Sequence, residues 1–161
     1  MSAAVEPGSP YSGLATRALA CAIDVLTVQA VAWTVGAVAA VAASMLEPSE
    51  RLQTILIAGG AVVAAVWSIG YFVFFWSTTG QTPGDRVMGI RVQDAADGQP
   101  LHLARALLRL AGALLSVLLL FLGYLLILVD ARRRALHDRM VGSVVVYAPT
   151  GPRTRPANPR I

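Results

Sequence analysis

Apolar residues fill the chain in three long runs, over 14–46, 54–77 and 110–129, separated by short segments that hold most of the charge. Each run is long enough to cross roughly 30 Å of hydrocarbon, so each is a candidate membrane helix. Between the second and third runs the pattern changes. Gly80-Gln81-Thr82-Pro83-Gly84 reads as a turn-rich entry, after which Val87, Gly89 and Arg91 alternate with Met88, Ile90 and Val92 at the period of a half-buried strand over 86–92. Ala96-Asp97-Gly98 supplies a turn, and residues 99–103 form a second strand candidate that Pro100 confines to an edge. The β-branched segment 142–148 is a third. A small sheet built from these would join the middle segment to the tail at the membrane face.

Composition fixes the class. With 56% of residues apolar and 14% charged, the chain is predicted to be an integral membrane protein, with too little sequence outside the runs for a separate soluble domain. The expected fold is all-α: two transmembrane helices, a third broken or re-entrant apolar helical element, and a small cytoplasmic β-hairpin or sheet. One membrane domain is expected over 11–148, with spans near 14–44, 54–77 and 107–129, flanked by disordered tails at 1–10 and 149–161. Residues 1–13 carry no basic side chain and the run after them far exceeds a signal peptide's core, so it is read as a retained span. The single cysteine, Cys21, excludes an intramolecular disulfide and is read as a small packing residue.

Every basic side chain is arginine, and the distribution is uneven. Arg51 stands alone between the first two runs, beside Glu47 and Glu50, whereas Arg86, Arg91, Arg105 and Arg109 precede the third run's centre and Arg132, Arg133, Arg134, Arg139, Arg153, Arg155 and Arg160 follow it. Three full crossings would leave one basic segment outside, against the positive-inside rule. An even number of crossings removes the conflict and places both termini in the cytoplasm. A continuous helix over 101–129 would reach about 43 Å, enough for one crossing but not two. The expectation is therefore an interfacial amphipathic helix over about 101–111 and then a bent or re-entrant segment, with breaks near Gly112 and Gly123. The alternative is a plain third span with an external tail.

The order of motifs carries a resemblance. Arg17 with Ala18 and Asp24 in the first run, Gly80-Gln81-Thr82-Pro83-Gly84 followed by Gly89-Ile90-Arg91-Val92, Asp97-Gly98 with Arg105 and Arg109, and Leu136-His137-Asp138 ahead of Gly142-Ser143-Val144-Val145-Val146 resemble the RDD family of membrane proteins. That family is named for one arginine and two aspartates, which correspond by motif position to Arg17, Asp24 and Asp138. Asp85 stands where a basic residue is usual, and Ser143 where threonine is usual. The resemblance implies a multi-pass protein of the bacterial inner membrane. Some relatives are proposed to exchange monovalent cations for protons, and others occur as accessory proteins beside lipid-transport machines.

Ionisable groups at membrane depth cost roughly 2.5–3.5 kcal/mol each on insertion scales, so Arg17 and Asp24 are expected to face protein or water. Seven residues apart, they share a helix face without being close enough to rely on each other. Asp24 reads either as a proton or cation site or as one half of a structural ion pair, with Arg105 and Arg109 as candidate partners. The pair is preferred. Arg17 is expected to snorkel to the headgroups or to reach Asp138. His137 and Asp138 point in different directions and His102 offers no ligand spacing, so neither a metal nor another cofactor is assigned. Arg132, Arg133 and Arg134 read as anchors to anionic lipid; their place beside a membrane element, without interleaved aromatics, argues against nucleic acid.

No nucleophile constellation or phosphate-loop spacing appears, which makes enzyme the least favoured class. Gly36, Ala39, Ala40 and Ala43 would admit a neighbouring helix closely, so partner subunits or a homo-oligomer are expected beside lipid. The expected function is an accessory or scaffold subunit of a larger bacterial inner-membrane complex. A monovalent cation/proton antiporter or other small transporter using Asp24 is the alternative.

Overall fold

A computed structural model describes residues 10–46 and 48–148. The predicted tails, apart from Pro10, and Glu47 lie outside the described residues. Two long apolar helices, α1 (Leu14–Ser44) and α2 (Glu50–Thr78), form a hairpin. At about 46 and 44 Å of rise, both exceed the hydrocarbon thickness. Their buried residues lie at one end only: Arg17, Ala20, Asp24 and Val28 form a single stripe on the first half of α1, and Tyr71, Val73 and Trp76 lie on the last turns of α2. In the most apolar window of each helix only 6% of residues are buried.

The remaining elements gather at that packed end. They are α3 (Pro83–Val87), β1 (Ile90–Asp94), α4 (Leu103–Leu118), α5 (Leu122–Val129), α6 (Leu136–Val141) and β2 (Ser143–Tyr147). Strands β1 and β2 pair antiparallel, with Ile90 opposite Tyr147 and Asp94 opposite Ser143. The alternation of β1 turns Ile90 and Val92 inward, where they meet Val145, Ala20, Trp76, Leu101, Ala106 and Val141 in the core. The chain ahead of α1 extends this sheet: Tyr11 bridges Val146, and the Ser12 N–H donates to the Val145 carbonyl at 3.0 Å.

Two of the three expected strand segments need correction. The predicted alternation from Arg86 becomes strand only at Ile90, because Thr82 and Asp85 close a capping box around Pro83 at the first helical turn and make 83–87 a helix. Residues 99–103 are not a strand either. Pro100 has no N–H to give a ladder, the Leu101 N–H donates to the Trp76 carbonyl at 3.1 Å, and the chain passes directly into α4.

The third apolar run is broken as expected: the break falls two residues before Gly123, close to one of its two expected positions, and no break occurs at Gly112. Helix α4 runs unbroken through Gly112 to Leu118, and α5 leaves it at 103° after a turn in which Leu120 and Phe121 take left-handed φ of 51° and 63°. Gly112 and Gly123 serve close packing instead. A Cβ on Gly112 would lie 3.0 Å from the His137 Cβ, and one on Gly123 would collide with the Ser116 side chain. The bend returns the chain to its starting level: the segment entering α4 is bonded to Trp76 at the end of α2, and the Arg133 carbonyl beyond α5 accepts from Arg17 in the first turn of α1. Both ends of the α4–α5 pair therefore lie at the same end of the hairpin.

These contacts predict a contrast between glycines. Gly123→Ala should destabilise the solubilised protein by about 1–3 kcal/mol through overpacking, whereas Gly60→Ala, inside α2 with no other segment within 4 Å of the new methyl, should not destabilise it and should stabilise it by up to about 1 kcal/mol through helix propensity. Thermal unfolding in mild detergent checks both.

Candidate functional site

The centre of the packed end is the Asp138 carboxylate, which is 0% exposed. Asp138 is the third residue of α6, and one oxygen accepts the Ala135 N–H at the helix start at 3.2 Å. That same oxygen accepts from Arg17 Nη1 at 2.5 Å. The other accepts from Arg109 Nη2 at 3.0 Å, Arg109 Nε at 3.1 Å and the Ser143 hydroxyl at 3.1 Å. Burial acts to raise the pKa of Asp138, but Arg109, His137 and Arg17 together hold its carboxyl well below the usual range.

The two arginines are themselves fixed. Arg17 Nε donates to the Ser12 hydroxyl at 2.9 Å and Nη2 to the Arg133 carbonyl at 2.7 Å, while the Arg109 guanidinium lies 4.2 Å from the centre of the Trp76 ring. One carboxylate thereby ties α1, α4, α6 and β2 together.

Asp24 occupies a second, separate network. Its carboxylate accepts from the Tyr71 hydroxyl at 2.8 Å, the Thr82 hydroxyl at 2.5 Å and the Gly84 N–H at 2.8 Å. Thr82 also accepts from the Asp85 N–H at 3.0 Å, so the cap of α3 and the anchor to α1 share one hydroxyl. Gly84 permits the approach: a side chain there would strike the Ala20 carbonyl and come within 2.8 Å of the Asp24 carboxyl. Asp85, beside this anchor, is buried, and burial raises its pKa against the opposing hydrogen bonds from Thr82.

Between the networks lies a cavity of about 220 Å³, with Arg17, Asp24, Asp85, Arg109 and His137 on its polar wall and Phe72, Leu110 and Leu114 among its apolar residues. His137 is 3% exposed, and its Nδ1 has no hydrogen-bond partner among the described residues. Burial, reinforced by Arg109, lowers its pKa to about 4, so the imidazole is neutral at neutral pH. Its ring packs against Tyr124 at 5.0 Å between centroids.

The expectation for Arg17 is met in one of its two forms, the link to Asp138. The ion-pair partners expected for Asp24 are not found there. Arg109 turns to Asp138 across the α4–α6 contact, and Arg105 pairs with Asp94 at the end of β1, while Asp24 faces three neutral donors. Of the predicted headgroup anchors, Arg132 and Arg133 are exposed, but Arg134 turns back to Asp130 at 2.8 Å. The sequence reading named Thr82, Gly84 and Ser143 only as motif residues, and gave Ser12, Tyr71 and Trp76 no place in these networks. The best available signals were Thr82 ahead of Pro83 and Asp85, a capping pattern, and the hydroxyl of Tyr71 within an apolar run, which needs a partner.

Both networks, apart from Ser143, fall within the match to the RDD family over residues 11–142. The chain belongs to the RDD family. The proteins it is similar to include the "Proline-rich antigen homolog" of Mycobacterium tuberculosis strains CDC 1551 / Oshkosh and ATCC 25618 / H37Rv, each 25% identical over 158 residues, which cover 87% of this chain. The matched region spans 65% of those relatives' own length. No solved structure matches. In this RDD protein the hydroxyl of Ser143 does what threonine at that position offers, a donor to Asp138.

The networks rank the effects of substitution. Asp138→Asn leaves two buried guanidinium groups without a counter-charge and should cost about 3–5 kcal/mol, the range for breaking a buried pair. Asp24→Asn removes only charge-assisted bonds from neutral donors and should cost about 1.5–3 kcal/mol. Chemical or thermal unfolding in detergent should return that order.

The His137 imidazole adds a pH dependence. Its unfolded value is 6.5 and its folded value about 4, so the unfolded chain takes up the extra proton between them. The contribution to stability is intact above pH 6.5 and is lost as the pH falls toward 4. Asp85, whose pKa is raised, acts in the opposite sense. A melting temperature that drops from pH 7 to pH 5, with a smaller drop in His137→Gln, is the expected result.

Proposed function

We propose that this RDD protein is a non-enzymatic accessory or scaffold subunit of a larger bacterial inner-membrane assembly, with a lipid-transport machine as the class of partner. One observation carries the reading. Arg17 and Asp138 are satisfied by groups inside the chain and Asp24 by three internal donors, while the outer halves of α1 and α2 are left uncovered. The buried charges are thus spent on holding the packed end together, and the surface available for association lies on the spans. In this reading the arginine-rich end of the hairpin faces the cytoplasm with both termini, as the positive-inside rule requires, and Arg132 and Arg133 touch anionic headgroups.

The second reading, a cation/proton antiporter, is favoured by a different observation: Asp24 has no cationic partner at hydrogen-bond distance among the described residues and borders the cavity. The two readings diverge in a transport assay. Purified protein in sealed vesicles should move neither sodium nor potassium against a pH gradient. Cation-dependent proton movement that disappears in Asp24→Asn would replace the accessory reading with the transporter. A photo-crosslinking residue at Val38 or Val62, both outward on the spans, should yield a discrete adduct with a different membrane protein in living cells; a self-adduct alone counts against the scaffold role.

A further inference from the structure

The face of the sheet turned away from the core carries a second concave surface, unconnected with the Asp138 and Asp24 networks. Alternation along β1 puts Arg91 and Gln93 on this face and leaves Asp94 on the other, paired with Arg105. The turn after α2, helix α3 and the 98–100 loop wall it in, forming a groove of about 580 Å³ whose side chains include Arg86, Arg91, Gln81, Gln93 and Gln99. Among the described residues, no carboxylate lines it. The volume falls within the roughly 300–1,000 Å³ usual for small-ligand sites.

Arg91 is the fixed cation of this groove. Its Nε is buried without a hydrogen-bond partner among the described residues, and its Nη2 reaches only the Gln81 side-chain oxygen at 3.2 Å. The guanidinium is held in place all the same. Gln81 is braced by donating to the Ile90 carbonyl at 2.7 Å, and Gly80, at φ 69°, leaves room for the Arg91 stem, which would lie 3.3 Å from any Cβ there. A positioned guanidinium, a second arginine and amide side chains, in a groove with no carboxylate among its described lining residues, are complementary to a phosphate group. The groove also adjoins Thr78 and Thr79 at the last turn of a membrane span, the depth at which lipid headgroups lie.

We infer that this groove binds a phosphate-bearing anion through Arg91 and Arg86. The phosphate belongs either to an anionic lipid headgroup or to a soluble phosphate compound, and the same recognition chemistry serves both.

Purified protein in mild detergent can be titrated with phosphatidylglycerol, monitored by native mass spectrometry, and separately with inorganic phosphate, monitored by thermal shift against chloride at equal ionic strength. Saturable binding in either arm is expected, weakened about fivefold or more in Arg86→Gln and in Arg91→Gln. Arg51→Gln, which removes the same charge at the far end of the hairpin, should bind as wild type does. Because Arg86 is exposed, its variant keeps the test valid even if Arg91→Gln misfolds. Binding of the lipid alone identifies a headgroup site; binding of phosphate with equal specificity identifies a soluble ligand. No saturable binding in either arm, or equal loss in Arg51→Gln, overturns the inference.

Discussion

The packed end of this protein depends on one buried carboxylate. Asp138 has no access to solvent, and two guanidinium groups from helices far apart in sequence converge on it. Burying one such charge costs several kcal/mol, and mutual attraction offsets that cost only when the remaining hydrogen-bonding capacity is also filled. Here it is filled, by Ser143 and the Ala135 N–H on the carboxylate and by Ser12, Arg133 and Trp76 on the arginines. The network also fixes geometry: it sets where α1 enters, how α4 lies across α6, and how β2 leaves.

Asp24 solves a related problem without a cation. A carboxylate on a span is anchored by a hydroxyl from α2 and by the start of α3, whose backbone can come close because position 84 has no side chain. The short helix α3 is too small to be stable alone, since helix nucleation is unfavourable and five residues give few internal bonds. Its cap and its dock on α1 are one unit. Asp85 takes part as the capping acid, which gives this acidic residue a local role in the loop.

The molecule is consequently uneven. One end of the hairpin is cross-linked by ion pairs, a sheet and a returning helix pair, while among the described residues the far end presents apolar surface with almost nothing packed on it. Lipid can cover such a surface, and so can another helix. Small residues on both spans, such as Gly36 and Gly60 with open space around them, keep close helix approach available there. The proposed scaffold role follows from this division between a self-sufficient end and an uncovered one.

The sequence by itself determined the membrane class, the two spans, the broken third element and the RDD family to which the chain belongs. These are legible because hydrophobic run length and the cost of membrane charge act locally along the chain. The seven-residue spacing of Arg17 and Asp24 correctly put them on one helix face. Which partner each would take was decided only in three dimensions: Asp138 draws both Arg17 and Arg109, so Asp24 is left to Tyr71, Thr82 and Gly84. Gly112 and Gly123 show the same limit. Alone they read as helix breakers; other segments of the same chain make them packing sites, and the break falls at Leu120 and Phe121, two residues before Gly123, where non-glycine residues turn the backbone left-handed. Local propensity records what one segment tolerates; partner choice and the site of the bend depend on contacts between segments that are distant in sequence.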